Sequence, residues 1–509
     1  MKSAQHADYQ GKSFFHKKEK PKIKMGQQSA NNERTTVASR GKSNAFRPIS
    51  AAALAEMRAI VSERYLHTDE TTRRDCGHDE TEDLLYMPEA VAEPADTSEV
   101  SALMKICYRE RIPVTVRGGG SGLAGGALPT HGGLVISMKR FDKIINLDER
   151  NFQVTVEPGI ITENLQNTLK EKGLFYPPDP SSRGWSFIGG NVSTNAGGPR
   201  AVKYGVVKDH VLNLEVVLPN GDIIWTGANT LKNSTGYNLT QLLVGSEGTL
   251  GIVTKIVLKL QPHPTQTLLM LAPFRSAESA CAAVAAIFQA GVTPSALEFM
   301  ERNAIDWAVR YVGETPVPIR EEDAAHLLIE VDGFHEESLY ADFETIARVL
   351  ENYDCGETFF ANDDATKTSL WKLRRNVAHA VKKNSIYKEE DTVVPRAELP
   401  FLLKKVKDTG AKYGFESVCY GHAGDGNLHV NILKGDLDDR TWNVEVPEGI
   451  REIFQFVKSK GGTISGEHGI GLVQRPYLDI VFSKTELRLM RQIKRVFDPR
   501  GILNPGKVV

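Results

Sequence analysis

The chain is poor in cysteine and contains no C-x-x-C. Its five cysteines (Cys76, Cys107, Cys281, Cys355 and Cys419) lie far apart, so neither a zinc ribbon nor an iron–sulfur cluster is encoded. An odd, scattered set suits a reducing compartment better than a disulfide framework. No apolar run reaches the length of a bilayer span. The opening stretch "MKSAQHADYQGKSFFHKKEKPKIKMGQQSANNERTTVASRGKSN" has no signal-peptide core. Neither sign of charge dominates: the formal net charge is −2 with 25% charged residues, which gives no reason to expect nucleic acid or a strongly charged membrane patch. Also lacking are an H-E-x-x-H motif, an internal repeat and any low-complexity tract beyond the N-terminus. Residues 1–48 read as a disordered basic tail. Within it "KKEKPKIK" is first a solvated charge run and only second a contact for anionic lipid or a partner. The expected location is the cytoplasm, with peripheral membrane association left open.

What the chain does have is length and glycine. At 509 residues it is too long for one ordinary core, and two or three domains are expected. "ISAAALAEMRAIVSERYLHT" has helical spacing and opens the folded part. "TSEVSALMKICYRERI" reads as a helix, and "PVTVRGG" as a strand running into glycine. "GGLVISMKRFDKIINLD" and "NFQVTVEPG" read as strands. "ITENLQNTLKEKG" is an amphipathic helix stopped by Gly173. "VLNLEVVLPNGDIIW" is a hairpin with Asn-Gly at its turn. After Pro264 an alanine-rich helix, "SAESACAAVAAIFQAG", and a strand, "AHLLIEVDG", start a second alternation. The fold class is α+β. The expected domains are 49–265, 266–470 and a helical C-terminal segment, 471–509.

Many of the 44 glycines cluster in the first half, which suggests backbone approaching a ligand closely rather than flexible linkers. "VTVRGGGSGLAGGALP" matches G-x-G-x-x-G after a strand. A Rossmann site needs a helix to start there, because the pyrophosphate sits on its N-terminus, and "GALPTHGG" puts Pro and Gly in its place. The Rossmann fold is therefore rejected, while a loop of successive N–H groups can still cradle phosphates. "FIGGNVSTNAGGPRAVKYGVVKDHV" and "LLVGSEGTLGIVTKI" add two more such stretches beside strands. Together they would line a groove for a long ligand with a diphosphate.

In the second half, "CYGHAGDGNLHVNI" places His422 and His429 on either side of a Gly-Asp-Gly turn. Side chains alternate along a strand, so His429 and Asn431 point the same way. The pair is either the start of a metal site or two histidines that happen to sit at a turn.

The glycine blocks, "YPPDPSS", "GHAGDGNLHVN", "GGTISGEHGIGLVQRPYL" and "LNPGK" resemble, in this order from about Glu89 to Lys507, the vanillyl-alcohol-oxidase-type flavoproteins. Within these they resemble the branch of D-lactate dehydrogenase, the glycolate oxidase flavin subunit and D-2-hydroxyglutarate dehydrogenase. The resemblance implies a two-subdomain FAD-binding domain of the PCMH type and an α+β cap over the flavin ring. It implies that Arg117, Gly118, Gly119, Gly120, Ser121, Gly122 and Leu123 wrap the diphosphate. Pro178, Asp179, Ser182, Gly189, Gly190, Asn191, Thr194, Asn195 and Gly198 would line the flavin groove. Glu247, Gly251 and Val253 would lie near the adenosine side, and Asn504 would return to the flavin. Gly120-Ser121-Gly122 stands where some members carry a flavin-linking histidine, so the FAD is expected to be non-covalent.

The same resemblance implies a divalent metal on His422, His429 and Glu467. Zn²⁺ suits these ligands, and Mn²⁺ or Fe²⁺ would fit. His468 would be the base, or else a hydrogen-bond donor behind the ligands. Arg374 of "LWKLRRN" would bind the substrate carboxylate, with Arg375 as the alternative, and Asn431 would hydrogen-bond the substrate. The activity implied is oxidation of a D-2-hydroxy acid to the 2-oxo acid, with the hydroxyl deprotonated beside the metal and the hydride passing to flavin N5. Where the hydroxyglutarate branch clamps a second carboxylate, this chain has Ala378 and Glu389, so D-lactate or glycolate is favoured and D-2-hydroxyglutarate is the alternative. Lys382 or Lys388 could still reach that position.

Three other readings compete. They are a flavin subunit of a multi-subunit glycolate oxidase, a non-redox enzyme resembling alkyl-dihydroxyacetonephosphate synthase, and a metallohydrolase using the histidines alone. The last leaves the glycine blocks unexplained. The partners expected are a small 2-hydroxy acid and an electron acceptor: oxygen, a quinone, a cytochrome, an electron-transfer flavoprotein or an iron–sulfur subunit. No motif sets the oligomeric state, and a homodimer is compatible with the chain.

Overall fold

The computed structural model describes residues 46–81, 84–313, 315 and 317–509. The tail assigned to 1–48, with its "KKEKPKIK" run, lies outside the described residues up to position 45. The first helix, Ala51–Val61, is capped by the Ser50 side chain, which accepts the Ala53 N–H. It is shorter than its spacing predicts. Ser62 takes φ +69, and a single turn and a two-residue strand follow.

Two sheets build the N-terminal half. The first has four strands in the order Leu66–His67, Ala90–Ala92, Leu134–Ser137, Val114–Arg117. Its last three are parallel. The helix Thr97–Glu110 covers it with Val100, Leu103, Met104 and Cys107. The second sheet is antiparallel, in the order Ile144–Asp148, Gln153–Val156, Ile252–Lys259, Val211–Val217, Ile223–Trp225. The Asn220-Gly221 hairpin joins its last two strands, with Gly221 at φ +90. The segment that follows Val114–Arg117 runs to Gly133 without a helix, so the nucleotide-type glycine loop stands free of any helix N-terminus. The second glycine block behaves differently: Ile188–Thr194 winds into a short helix with Gly189 and Gly190 in its first turn.

The C-terminal half is organised by a seven-stranded antiparallel sheet. Its order is Phe359–Ala361, Gln266–Phe274, Ala325–Gly333, Ala296–Glu301, Glu416–Gly421, Asn427–Leu433, Tyr387–Val393. Each strand sends alternate residues to opposite faces. Leu428, Val430 and Ile432, like Leu297 and Phe299, enter the large core under the helices Ala277–Gln289, Leu399–Tyr413 and Val446–Ser459. Burying each such side chain is worth about 1.5–3 kcal/mol, which locks the register, because a one-residue slip would exchange the two faces. The opposite face therefore receives Glu298, Tyr420, His429, Asn431, Glu389 and Asp391.

The last residues return to the first half. Leu503 bridges to Val114 in parallel, and the Asn504 side chain donates to the Gly126 and Glu247 carbonyls at 3.0 and 2.8 Å. No helix among the described residues is long and apolar enough to cross a membrane.

Candidate active site

Between the two halves lies a cleft of about 1850 Å³, counted out to its open mouth. One wall is backbone. Gly118, Gly119, Gly120, Ser121, Gly122 and Leu123 line it, with Ser182, Gly189, Gly190, Asn191, Thr194, Glu247, Gly251 and Val253. A side chain on Gly119 would collide with the Trp185 carbonyl, so this loop is pressed flat against its neighbour.

The other sequence-nominated residues stand behind that wall. Arg117 Nη1 donates to the His78 carbonyl at 2.6 Å. Pro178 offers its carbonyl to Gln166 Nε2 at 2.9 Å. Asp179 accepts from Arg375 Nη2 at 2.7 Å and has Arg183 and Arg200 at 3.7 and 3.9 Å, an ionic joint between the two halves. Asn195 Oδ1 accepts the Lys208 N–H at 2.9 Å. Gly198, at φ +120, packs on the Asp179 backbone. Asn504 ties two loops together as described above. Glu247 has a double role: it lines the cleft, and its carboxylate accepts the N–H groups of Ile470 and Gly471 at 2.8 and 2.7 Å. Burial raises it to about 7 against those hydrogen bonds and Lys507.

The facing wall is made by the cap. His422 closes the strand Glu416–Gly421, and His429 sits in the returning strand opposite Tyr420. The turn between them closes at Gly426, φ +77, where a Cβ would strike the Val394 carbonyl. The two imidazoles meet edge to face at 5.4 Å, and His468 stacks on His429 at 5.0 Å. Glu467 Oε1 lies 3.1 Å from His422 Nε2 and 3.6 Å from His429 Nε2. Three ligands on one tetrahedral ion with bonds of about 2.1 Å stand roughly 3.4 Å apart. His422, His429 and Glu467 can therefore hold a divalent ion after small shifts, and their ligand atoms all lie within 4.8 Å of one another. A second such group, Glu389, His429 and His468, shares His429.

The electrostatics fit the same donor set. Burial opposes charge on His422, but Glu298 and Glu467, one on each ring nitrogen, raise it to about 10. A proton thus occupies a place where two carboxylates compete for positive charge. His429 is held near 3 by burial and by the neighbouring His468, which keeps the ring neutral with one nitrogen free to bind a metal. Burial opposes charge on His468 too, yet Asp391, Glu389 and Glu467 raise its proton affinity.

Arg374 is 3% exposed and meets Glu298 with Nη2 at 2.6 Å from Oε2. Neither Nε nor Nη2 forms a hydrogen bond, and the residue lines the cleft beside Tyr420 and His429. Asn431 is fully buried, with neither amide atom in a hydrogen bond. It lies next to the Tyr420 hydroxyl, two residues beyond His429 on the same strand and outside the residues that line the cleft.

Two buried carboxylates escaped the sequence reading. Glu298 binds His422 Nδ1 through both oxygens at 2.9 Å. Asp391 accepts the N–H groups of Gly466, Glu467 and His468 at 2.7, 2.8 and 2.9 Å, and so shapes the loop that carries a candidate ligand and the candidate base. Strand alternation puts Glu389 and Asp391 on one face, but nothing local marks either as internal.

Comparison with known proteins agrees with this architecture. Residues 88–227 match the family model "FAD binding domain" and residues 263–508 match "FAD linked oxidases, C-terminal domain". The chain is 41% identical over 434 residues to glycolate oxidase subunit GlcD of Bacillus subtilis, covering 85% of this chain and 91% of that one. It is 36% identical over 470 residues to a D-lactate dehydrogenase of Anaerostipes hadrus, covering 91% and 98%. The solved structure of p-cresol methylhydroxylase with substrate bound superposes with a TM-score of 0.75 at 18% identity, covering 91% of this chain and 98% of that one, which shows the shared fold. The chain belongs to the FAD-linked oxidase family and is an FAD-dependent enzyme that oxidises 2-hydroxy acids.

Proposed function

We propose that the enzyme oxidises a small D-2-hydroxy monocarboxylate, D-lactate or glycolate, to its 2-oxo acid at a site completed by a divalent metal ion on His422, His429 and Glu467. The observation that carries this reading is the convergence of two imidazole Nε2 atoms on one Glu467 oxygen beside the buried Arg374. When bound, the flavin supplies a hydride acceptor and the metal supplies Lewis-acid polarisation of the hydroxyl.

The chain's own residues do the rest. Arg374, its Nε unpaired, anchors the substrate carboxylate. His468 has its Nδ1 4.0 Å from Asp391, which leaves Nε2 to take the hydroxyl proton. The carboxylates around it suit a base that must keep the proton it accepts. Asn431 holds an amide ready for a polar partner. Glycine-wall residues Gly118 to Leu123 and Gly189 to Thr194 would receive the cofactor.

The preference for a monocarboxylate rests on Glu389 and Lys382, both on the cleft wall. Glu389 is an acid facing the site, and the Lys382 ammonium is engaged with Glu80 at 2.5 Å. Arg375 lines the same wall with Nη1 unpaired, and this keeps D-2-hydroxyglutarate as the second reading. The five free cysteines are scattered and three are buried, which leaves no ligand set for an iron–sulfur cluster in this chain, so reoxidation calls for oxygen, a quinone, a cytochrome, an electron-transfer flavoprotein or an iron–sulfur partner subunit.

The test is an anaerobic flavin spectrum before and after D-lactate, L-lactate, glycolate and D-2-hydroxyglutarate, with and without a chelator. Bleaching by one monocarboxylate that the chelator stops supports the whole reading. Bleaching that survives complete metal removal rejects the metal, and bleaching by D-2-hydroxyglutarate alone selects the second reading.

A further inference from the structure

We propose that Glu298 is the positioning residue that sets the spacing between the hydroxyl-binding and carboxylate-binding halves of the site. This inference rests on the reading above. Glu298 lies in the strand Ala296–Glu301, at the centre of the cap sheet. Its neighbours Leu297 and Phe299 are in the hydrophobic core, so alternation turns Glu298 toward the active-site face. There it has no exposed surface and stands outside the residues that line the cleft. It acts on substrate only through others.

Two groups share its carboxylate. His422 Nδ1 lies 2.9 Å from both oxygens. An ionised carboxylate can only accept, so Nδ1 carries a hydrogen; the proton that Nε2 directs at Glu467 in the metal-free site is the one a metal would replace, leaving Nε2 as the ligand atom. Arg374 Nη2 lies 2.6 Å from Oε2. That contact is an ion pair without hydrogen-bond geometry, and both Nη2 and Nε remain without a hydrogen-bond partner. A single rigid carboxylate therefore touches both the candidate metal ligand and the candidate carboxylate anchor. A 2-hydroxy acid presents its hydroxyl and carboxylate on adjacent carbons. Fixing His422 and Arg374 to one carboxylate fixes the distance between the sites that read those groups, and a 3-hydroxy acid, longer by one carbon, falls out of register.

The experiment uses the FAD-loaded full chain and two variants. Glu298→Gln keeps an acceptor for His422 but removes the charge facing Arg374. Glu298→Asp keeps the charge but shortens its reach by one methylene. Zinc affinity is read by competition with a chromogenic chelator, without turnover. Discrimination is read as the kcat/KM ratio of D-lactate to D-3-hydroxybutyrate. Glu298→Asp is expected to weaken zinc binding about 10- to 100-fold, the usual cost of losing a partner behind a metal-ligating histidine, and to narrow the discrimination ratio at least tenfold. Glu298→Gln is expected to raise the KM for D-lactate at least tenfold, with a smaller effect on zinc. If both variants keep zinc affinity and discrimination within threefold while only the melting temperature falls, Glu298 is a structural ion-pair partner and the proposal is overturned. A parent enzyme that binds no zinc and is reduced by no 2-hydroxy acid would instead sink the functional reading. One readout needs no variant to fold. In the ¹⁵N-histidine-labelled, zinc-loaded parent, His422 should be protonated at Nδ1, and protonation at Nε2 overturns the proposal.

Discussion

The Asp391 carboxylate and the His468 backbone are joined by a 2.9 Å hydrogen bond, the last of three that one oxygen accepts from consecutive N–H groups. A neutral amide cannot replace it, since its oxygen accepts more weakly and its NH₂ would face either the three loop N–H groups or the Asn427 Nδ2 donor. Asp391→Asn should cost on the order of 3 kcal/mol of stability and release the loop that presents Glu467 and His468. Calorimetry and metal analysis of the same preparation check this. A variant as stable as the parent with full metal content would contradict it.

Arg374 presents a planar fork that lysine cannot copy. Losing charge-assisted hydrogen bonds worth roughly 1.5–3 kcal/mol each should lower kcat/KM for the 2-hydroxy acid about 100-fold or more in Arg374→Lys. The flavin spectrum without substrate should be unchanged. Rapid-mixing reduction of the bound flavin measures both, and an unaltered KM would move the carboxylate anchor to Arg375.

His210 carries a pH dependence of its own. It is fully buried, and its Nε2 lies 3.0 Å from the Tyr204 carbonyl, while Nδ1 has no partner. Charging the ring would add a second N–H with nothing to receive it. Burial accordingly lowers it from 6.5 to about 4, against the pull of the Tyr204 carbonyl. A depressed histidine contributes stability that is present above its unfolded value and is lost as pH falls through the folded one, here between about 6.5 and 4, worth roughly 3 kcal/mol. His326 is lowered likewise, mainly by burial, to about 4. Denaturant melts from pH 7 to 4 should show the loss, and His210→Gln should flatten part of it.

Gly119 has no room for a side chain, because a Cβ would meet the Trp185 carbonyl. Gly119→Val should displace the loop and yield protein with little bound flavin, read as the ratio of absorbance at the flavin band to that of the protein. Circular dichroism should show the sheets intact. Full flavin occupancy would place the cofactor elsewhere in the cleft.

The sequence exposes the parts of this molecule whose signals are local. Asn220-Gly221 announces its hairpin because the turn demands positive φ, and Gly221 has it. The absence of a helix after Gly126 follows from Pro129 and the glycines around it. His429 and Asn431 share a face because strands alternate. Glu298 and Asp391 stayed hidden for the opposite reason. An acid in "ALEFME" or "KEEDTV" normally faces water, and its buried partner is more than 70 residues away in sequence: His422 for Glu298, His468 for Asp391. The helix Ile188–Thr194 was equally unmarked. Two glycines at its start disfavour helix by about 1 kcal/mol each, and packing of Ile188 and Val192 into the core overrides them. Thr194 and Asn195, taken for one continuous groove lining, separate at the helix end, where Asn195 turns left-handed and faces Lys208.

The strand Val114–Arg117 is completed by backbone hydrogen bonds from Val114 to Ile502 and from Asn504 to Val114, and the Lys507 ammonium grips the carbonyls of Gly126 and Leu128. The glycine wall thus depends on residues almost 400 positions downstream. On a ribosome the first half of the chain can fold as it emerges, but its wall stays unbraced until residue 507 has been made and has come back across the molecule. Completion of the glycine wall is therefore an event that follows translation of that segment. A chain cut short by even a handful of residues before 507 would leave the ribosome with both sheets formed and the cleft between the halves unbraced.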